Sequence, residues 1–283
     1  MSKIQIITDT DSNLTLDLAK ENQITMVPIT VQFGEESFKD LFEIQNPELF
    51  ERIDKLGKLP TTAAPSLGAF IDAFHAAFEA GADSIICVCV SSKVSRTYES
   101  ALAAAEEFAG KKIAVIDSES LSMSQGYMAI SAAKAVASGK SHEDVVNLLL
   151  DLRSRTILYG SLSTLKYLAL GGRVSNLAAS MANMLNIRPI LCVNNGKLDL
   201  LEKVRTRKVA MDRLAELLVN SVNGRELEYA CLLHVLNPED AQELGEKLKS
   251  QLKMPAEIQL IDFGPGLSVH AGVGLIGAVL VVK

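Results

Sequence analysis

The run Ile85-Ile86-Cys87-Val88-Cys89-Val90 constrains this chain more than any other segment. It has no polar residue at alternate positions, so as a strand it must be covered on both faces, the pattern of a parallel sheet clothed by helices. The flanking sequence supplies those helices, with one predicted over Ser66–Ala80 before the run and another over Ser95–Ala109 after it. The same alternation fills the first half. Strands are predicted at Ile4–Thr8, Ser84–Val90 and Ile113–Asp117, and an extended segment at Thr25–Phe33, where Pro28 suggests an edge. Helices are predicted at Thr15–Glu21, for about ten residues from a cap at Asn46-Pro47, through Ser138 after a Ser-rich loop, and at His142–Arg155 with Ser141 as cap. Gly34–Lys39 reads as a polar turn. Such alternation implies a parallel α/β sheet with right-handed crossovers.

The second half changes character. Short strands are predicted at Tyr159–Ser163 and Ile190–Asn194, and Asn195-Gly196 is a strong hairpin signal with Leu198–Val204 as the returning strand. Helices at Val209–Ser221 and Pro238–Leu252 alternate with strands at Glu228–Val235, Glu257–Asp262 and Ala278–Val282. This is an α+β pattern with a mixed sheet. At 283 residues the chain is longer than one core usually spans. The expected organisation is an N-terminal α/β domain over residues 1–158 and a C-terminal α+β domain over 159–283. No internal repeat or low-complexity segment is evident.

A net charge of -6 argues against a general nucleic-acid binder, which needs a basic surface. The four cysteines, Cys87, Cys89, Cys192 and Cys231, form no CxxC pair and no zinc-spaced cluster, so they read as buried, inert thiols. The chain opens directly into a strand, which predicts no signal peptide. The longest apolar stretch, Gly272 to Val282, is too short to span a bilayer. A reducing, cytoplasmic setting is expected.

Two hydroxyl-rich loops lead into helices: Pro60-Thr61-Thr62-Ala63-Ala64-Pro65-Ser66, and Ser91-Ser92-Lys93-Val94-Ser95 directly after the buried strand. A strand, a hydroxyl loop and a helix N-terminus make a seat for an oxyanion, since the free N–H groups and the helix dipole favour negative charge. Thr61, Thr62, Ser92 and Ser95 could bind a carboxylate or phosphate there, or simply cap helices. Ser66 is the better cap of its helix, which leaves the threonines less well accounted for by capping. His270 stands among glycines from Gly266 to Gly274. It could donate to an acid near neutral pH, or be a satisfied, half-buried histidine. His75, His142 and His234 read as structural or surface residues. Arg173, in a glycine turn, offers a planar fork for an anion. Arg205, Arg207 and Lys208 belong to a basic run that is either a solvated face or a contact surface. Asp9, Asp11 and Asp117 take structural roles, since no second ligand set has convincing metal spacing. The glycine pattern near the C-terminus matches neither Rossmann nor Walker spacing, so no nucleotide loop is expected.

Taken in order, these segments resemble the DegV family, the fatty-acid-binding subunits of bacterial fatty acid kinase, over essentially the whole chain. Ile7-Thr8-Asp9-Thr10-Asp11-Ser12-Asn13-Leu14 is similar to the family's TDSxxDL, with Thr10 for the usual Ser and Asn13 for the usual Asp. Val27-Pro28 resembles its VP strand. Pro60 to Ser66 resembles PTTSQPS with Ala63-Ala64 in place of Ser-Gln. Ser91 to Tyr98 resembles SSxLSGTY with Arg96 in place of Gly. Val115-Ile116-Asp117-Ser118, Gly172-Arg173-Val174, Arg188-Pro189-Ile190-Leu191 and the His270 segment also fit.

The resemblance implies two α/β domains with a long-chain fatty acid buried between them and no other cofactor or metal. It implies that Thr61, Thr62, Ser92 or Ser95, and His270 hold the carboxylate. It also implies that Arg173 and Arg205, with Lys208 beside the latter, meet the phosphorylated head group or the partner. The expected partners are the catalytic subunit of a fatty acid kinase, which would make the acyl phosphate, and an acyltransferase that would consume it. Elementary energetics agree. A buried carboxylate needs hydrogen bonds, while an acyl chain gains roughly 0.8 kcal/mol per buried CH₂ and needs only an apolar tunnel. The Leu/Met-rich segment Leu177–Leu185 is one candidate wall. The rival readings are a stand-alone hydrolase using Ser92 or Ser95 with His270, though no GxSxG elbow is present, and a lipid-responsive regulator without a kinase partner.

Overall fold

The computed structural model describes residues 3–171 and 187–283. In the first part, β1 (Ile4–Asp9) runs through a 3₁₀ turn (Thr10–Ser12) to α1 (Leu16–Glu21) and β2 (Ile24–Val27), followed by β3 (Thr30–Phe33), β4 (Glu36–Lys39), α2 (Asn46–Leu56), β5 (Thr61–Ala63) and α3 (Leu67–Glu79). Next come β6 (Ser84–Cys89), α4 (Thr97–Glu106), β7 (Lys112–Asp117), α5 (Met123–Ala137) and α6 (His142–Arg155). The second part holds β8 (Thr156–Ser161), α7 (Lys166–Leu170), β9 (Arg188–Asn194), β10 (Lys197–Val204), α8 (Arg207–Val222), β11 (Leu227–His234), α9 (Pro238–Lys249), β12 (Gln259–Asp262), α10 (Pro265–Ala271) and β13 (Ile276–Val282).

The first sheet is parallel throughout, in the order β2-β1-β6-β7. Every residue of β6 is buried, as its unbroken apolar run demands. Pro28 separates β2 from β3, so the extended segment around it divides: β2 is an edge of this sheet, and β3 joins β4 and β5 in a small antiparallel sheet of its own. Gly34, with φ of 62°, makes the turn from β3 into β4, so the polar turn is the tip of a hairpin. Chain order reverses between β1 and β6, and in open α/β sheets ligands sit in the crevice beyond the strand ends at such a point.

The second sheet is mixed, in the order β10-β9-β8-β13-β11-β12, with only β11 and β12 parallel. It begins at Thr156, before the boundary expected at 158, because β8 pairs with β13 along its whole length. Asn195 and Gly196, with φ of 47° and 78°, form the hairpin turn between β9 and β10.

Helix α5 packs against strands of both sheets, so it has little surface left for water. Its small residues permit this: a Cβ on Gly126 would lie 2.6 Å from the Ser12 carbonyl oxygen. The Tyr127 hydroxyl donates to the Ala230 carbonyl at 2.9 Å, tying the helix to the second sheet. Helix α6 is capped by Ser141 and Asp144 in a reciprocal box. Ser66 caps α3 through the Ala69 amide. Asn46 does not cap α2; it occupies the first turn, and its side chain donates to the Phe263 carbonyl at 2.6 Å. Asn13 donates to the Asp262 carbonyl at 3.0 Å, and Asp40 accepts from the Gly266 amide at 2.9 Å. Three side chains of the first half thus grip one stretch of the second, the entry to α10. All four cysteines are free and buried.

Candidate functional site

The crevice between the ends of β1 and β6 is built around a buried carboxylate. Asp9 accepts from the Val90 amide at 2.9 Å, the Asp11 amide at 2.9 Å and the Gln125 amide group at 3.0 Å. Burial raises its pKa to about 6 against those hydrogen bonds. It ties the two strand ends together, the structural role expected for it. The loop after β6 then turns over Ser91, whose hydroxyl donates to the Gly196 carbonyl at 2.8 Å. Lys93 reaches the neighbouring Asn195 carbonyl at 2.5 Å. The β9–β10 hairpin of the second sheet therefore docks on the loop that carries Ser92 and Ser95.

Beside this contact lies a cavity of about 70 Å³ with a polar end formed by Asp11, Thr62, Ser95 and His270. Each arrives on a different element. Thr62 is the middle residue of β5 and pairs with Val31. His270 is in the last turn of α10, so the glycine-flanked segment is a helix with Pro265 in its first turn. Thr62 Oγ1 and His270 Nε2 are 2.8 Å apart. Gly171 lets the chain pass against the imidazole, for a Cβ there would overlap His270 Nδ1. Ser95 shares a 2.9 Å hydrogen bond with Thr97.

The polar cavity opens into an apolar slot of about 80 Å³, and the two share Leu121, Leu168, Leu198, Leu267 and His270. Beyond these the slot is walled by Leu158, Leu162 and Leu191 of the second sheet side and by Phe263 and Leu275. Of its lining residues only Leu121, in the loop after β7, comes from the first part, so the slot lies against the second sheet. On the other side the polar end adjoins an outer vestibule of about 410 Å³ lined by Thr62, Ala64, Ser92, Lys93, Val94, Ser95 and Arg96.

The structure brings Thr62, Ser95 and His270 together in one cavity and leaves the other candidates elsewhere. Thr61 is exposed and, as the neighbour of Thr62 in a strand, points to the opposite side of β5. Ser92 lies in the vestibule and donates to Asp117 at 2.6 Å. Arg205 is exposed just beyond β10. Seven strand positions separate it from Leu198, which places it roughly 20 Å along the chain from the cavity. Lys208 is exposed in the first turn of α8. Arg207 is engaged by Asp240 at 2.5 Å and Glu243 at 2.6 Å, so this part of the basic run is neutralised within the fold. Arg173 and Leu177–Leu185 lie outside the described residues. Sequence reasoning missed Leu168, Leu198 and Leu267, whose apolar faces carried no local signal, and Asp40, which positions α10.

For nucleophilic catalysis the geometry is unhelpful. Ser92 donates to a carboxylate, Ser95 pairs with Thr97 and His270 pairs with Thr62. Among the described residues no group of three His, Cys, Asp or Glu is placed to hold a metal ion, and no helix is long and apolar enough to cross a membrane. A polar end, an apolar slot and an open vestibule suit a narrow amphiphile.

Comparison with known proteins points the same way. The family model described as "Uncharacterised protein, DegV family" matches residues 3–283. A DegV domain-containing protein of Halalkalibacterium halodurans is 32% identical over 277 residues, covering 98% of each chain. A DegV family protein from Thermus thermophilus, described for its fatty acid binding, has a TM-score of 0.93 at 27% identity and covers 99% of this chain and 100% of its own. A DegV family protein from Eubacterium eligens, solved loaded with heptadecanoic acid, has a TM-score of 0.85 at 25% identity, with coverage of 99% and 100%.

Proposed function

The chain belongs to the DegV family, and from that premise we propose that it binds a long-chain fatty acid and presents the carboxylate to a separate kinase. One observation carries this reading: the Thr62–His270 pair closes the polar end of a cavity whose other end is hydrocarbon. Thr62, Ser95 and His270 hold the carboxylate, satisfying a group that is costly to bury alone. The acyl chain enters the leucine-walled slot, which must widen to take its full length, and gains roughly 0.8 kcal/mol per buried CH₂. The carboxylate faces the vestibule, where a carboxylate oxygen can attack the γ-phosphorus of ATP held by the kinase. The new P–O bond forms as the bond to the β-phosphate oxygen breaks, and ADP leaves. The acyl phosphate stays in the slot until an acyltransferase consumes it. Chemistry that draws on ATP in this way supports a cytoplasmic setting.

The test has two stages. Native mass spectrometry of the purified protein should show a bound long-chain acid that denaturation releases. Incubation with ATP, Mg²⁺ and fatty acid should give acyl phosphate only when the kinase is added. Turnover by this chain alone, lost in Ser92→Ala or Ser95→Ala, would replace the carrier with an enzyme.

A further inference from the structure

The vestibule has a charge that the carboxylate site does not use. Lys93 and Arg96 both line it, beside the hydroxyls of Ser92 and Ser95. Both are exposed, and among the described residues neither makes an ion pair. The Lys93 ammonium bonds only a backbone carbonyl, that of Asn195, which leaves its charge uncompensated and two of its three donors available. The carboxylate behind this wall, Asp117, is engaged by the Ser92 hydroxyl and the Glu119 amide at 2.8 Å. Thr62, Ala64, Val94 and Ser95 line both the vestibule and the polar end of the ligand cavity. A group added to a carboxylate seated at Thr62 and His270 would have this vestibule, lined by both cations, beside it. Arg96 is also where the chain departs from the pattern it otherwise resembles, which has glycine there.

Resting on the carrier reading, we propose that Lys93 and Arg96 form a phosphate subsite that holds the phosphoryl group of the product, so that the protein grips a phosphorylated head group more tightly than a carboxylate. A guanidinium fork and an ammonium suit a doubly charged, three-oxygen group better than the single charge of a fatty acid. The subsite keeps the acyl phosphate on the carrier after the kinase leaves. Its cations are exposed, so its grip weakens as salt rises.

Hexadecyl phosphate, a stable single-chain phosphate, and palmitate serve as the two probes, with dissociation constants measured for the wild type, Arg96→Gln, Lys93→Gln and the double variant. The wild type should bind hexadecyl phosphate more tightly than palmitate at low salt, with the margin shrinking toward 0.5 M NaCl. In the double variant hexadecyl phosphate should weaken by about tenfold, while palmitate stays within about twofold. Arg96→Lys should restore part of the loss, which a merely structural Arg96 would not require. An unchanged ratio of the two constants in the double variant would overturn the subsite, and so would an equal loss for both ligands. Failure of the wild type to bind either probe would overturn the subsite and the carrier reading together.

Discussion

Thr62 and His270, 208 positions apart in sequence, meet at 2.8 Å between their side chains. One comes from a three-residue strand of the small sheet and the other from the last turn of α10. Neither element would be noticed alone, and their meeting defines the polar end of the cavity.

Removing either partner should weaken ligand retention without unfolding the protein. Thr62→Val keeps the shape and deletes the hydroxyl, and His270→Ala deletes the imidazole. A hydrogen bond to a charged group is worth on the order of 1.5–3 kcal/mol, so palmitate should bind roughly tenfold or more weakly in each. Thr62→Ser should retain most of the affinity. Displacement of a fluorescent fatty acid, with circular dichroism as the control for folding, is the measurement. Wild-type affinity in both variants would remove them from the site.

The contact between the hairpin and the loop has no spare room. A Cβ on Gly196 would lie 2.5 Å from the Ser91 hydroxyl, at a φ of 78° that side chains rarely adopt. Gly196→Ala should therefore cost on the order of 1–3 kcal/mol in urea unfolding. It should also speed ligand loss, because Leu198 of the same hairpin lines the cavity. Gly34→Ala is the control: it carries a similar φ of 62° with nothing nearby to strike, and should leave ligand loss unchanged.

Asp40 makes stability depend on pH in an unusual direction. Burial raises its pKa to about 6, against hydrogen bonds from Thr10 and the Gly266 and Leu41 amides. A carboxyl whose folded pKa lies above its unfolded value of 3.8 binds its proton more tightly when folded. Its contribution is least favourable above pH 6 and improves as pH falls toward 3.8. Relative to Asp40→Asn, the wild type should gain about 1 kcal/mol between pH 7 and pH 5. Urea titrations of both proteins at the two pH values measure this, and a constant difference would refute the assignment.

Two neighbouring arginines should behave differently toward the kinase. Arg205 is exposed and among the described residues makes no ion pair, whereas Arg207 is held by Asp240 and Glu243. Arg205→Ala should slow phosphorylation of bound fatty acid several-fold at low salt, less so at high salt, with fatty-acid affinity unchanged. Arg207→Ala should leave the rate near wild type. Loss of lipid in Arg205→Ala, with normal kinase association, would move Arg205 into the ligand site.

Local rules made much of this fold legible. The unbroken run at Ile85–Val90 identified a central parallel strand, Ser141 a capped helix, and Asn195-Gly196 a hairpin. What stayed hidden was set by partners far away in sequence. β5 exists because Thr62 pairs with Val31, and only that pairing shows that Thr61 and Thr62 face opposite ways. Sequence does not distinguish Ser92 from Ser95; the hydrogen bond from Ser92 to Asp117, 25 positions on, does. No helix is predicted at α10, although Gly264-Pro265 is a readable helix start. The DegV resemblance supplied the ligand class, which spacing alone left at carboxylate or phosphate.

The grip of Asn13, Asp40 and Asn46 on residues 262–266 bears on how such chains can be recombined. A chimera joined near position 158, with each half from a different relative, would set buried polar groups against a backbone they were not fitted to. Positions 13, 40 and 46 must therefore be transplanted together with the stretch they hold, and exchanging halves without them should yield aggregates instead of hybrids.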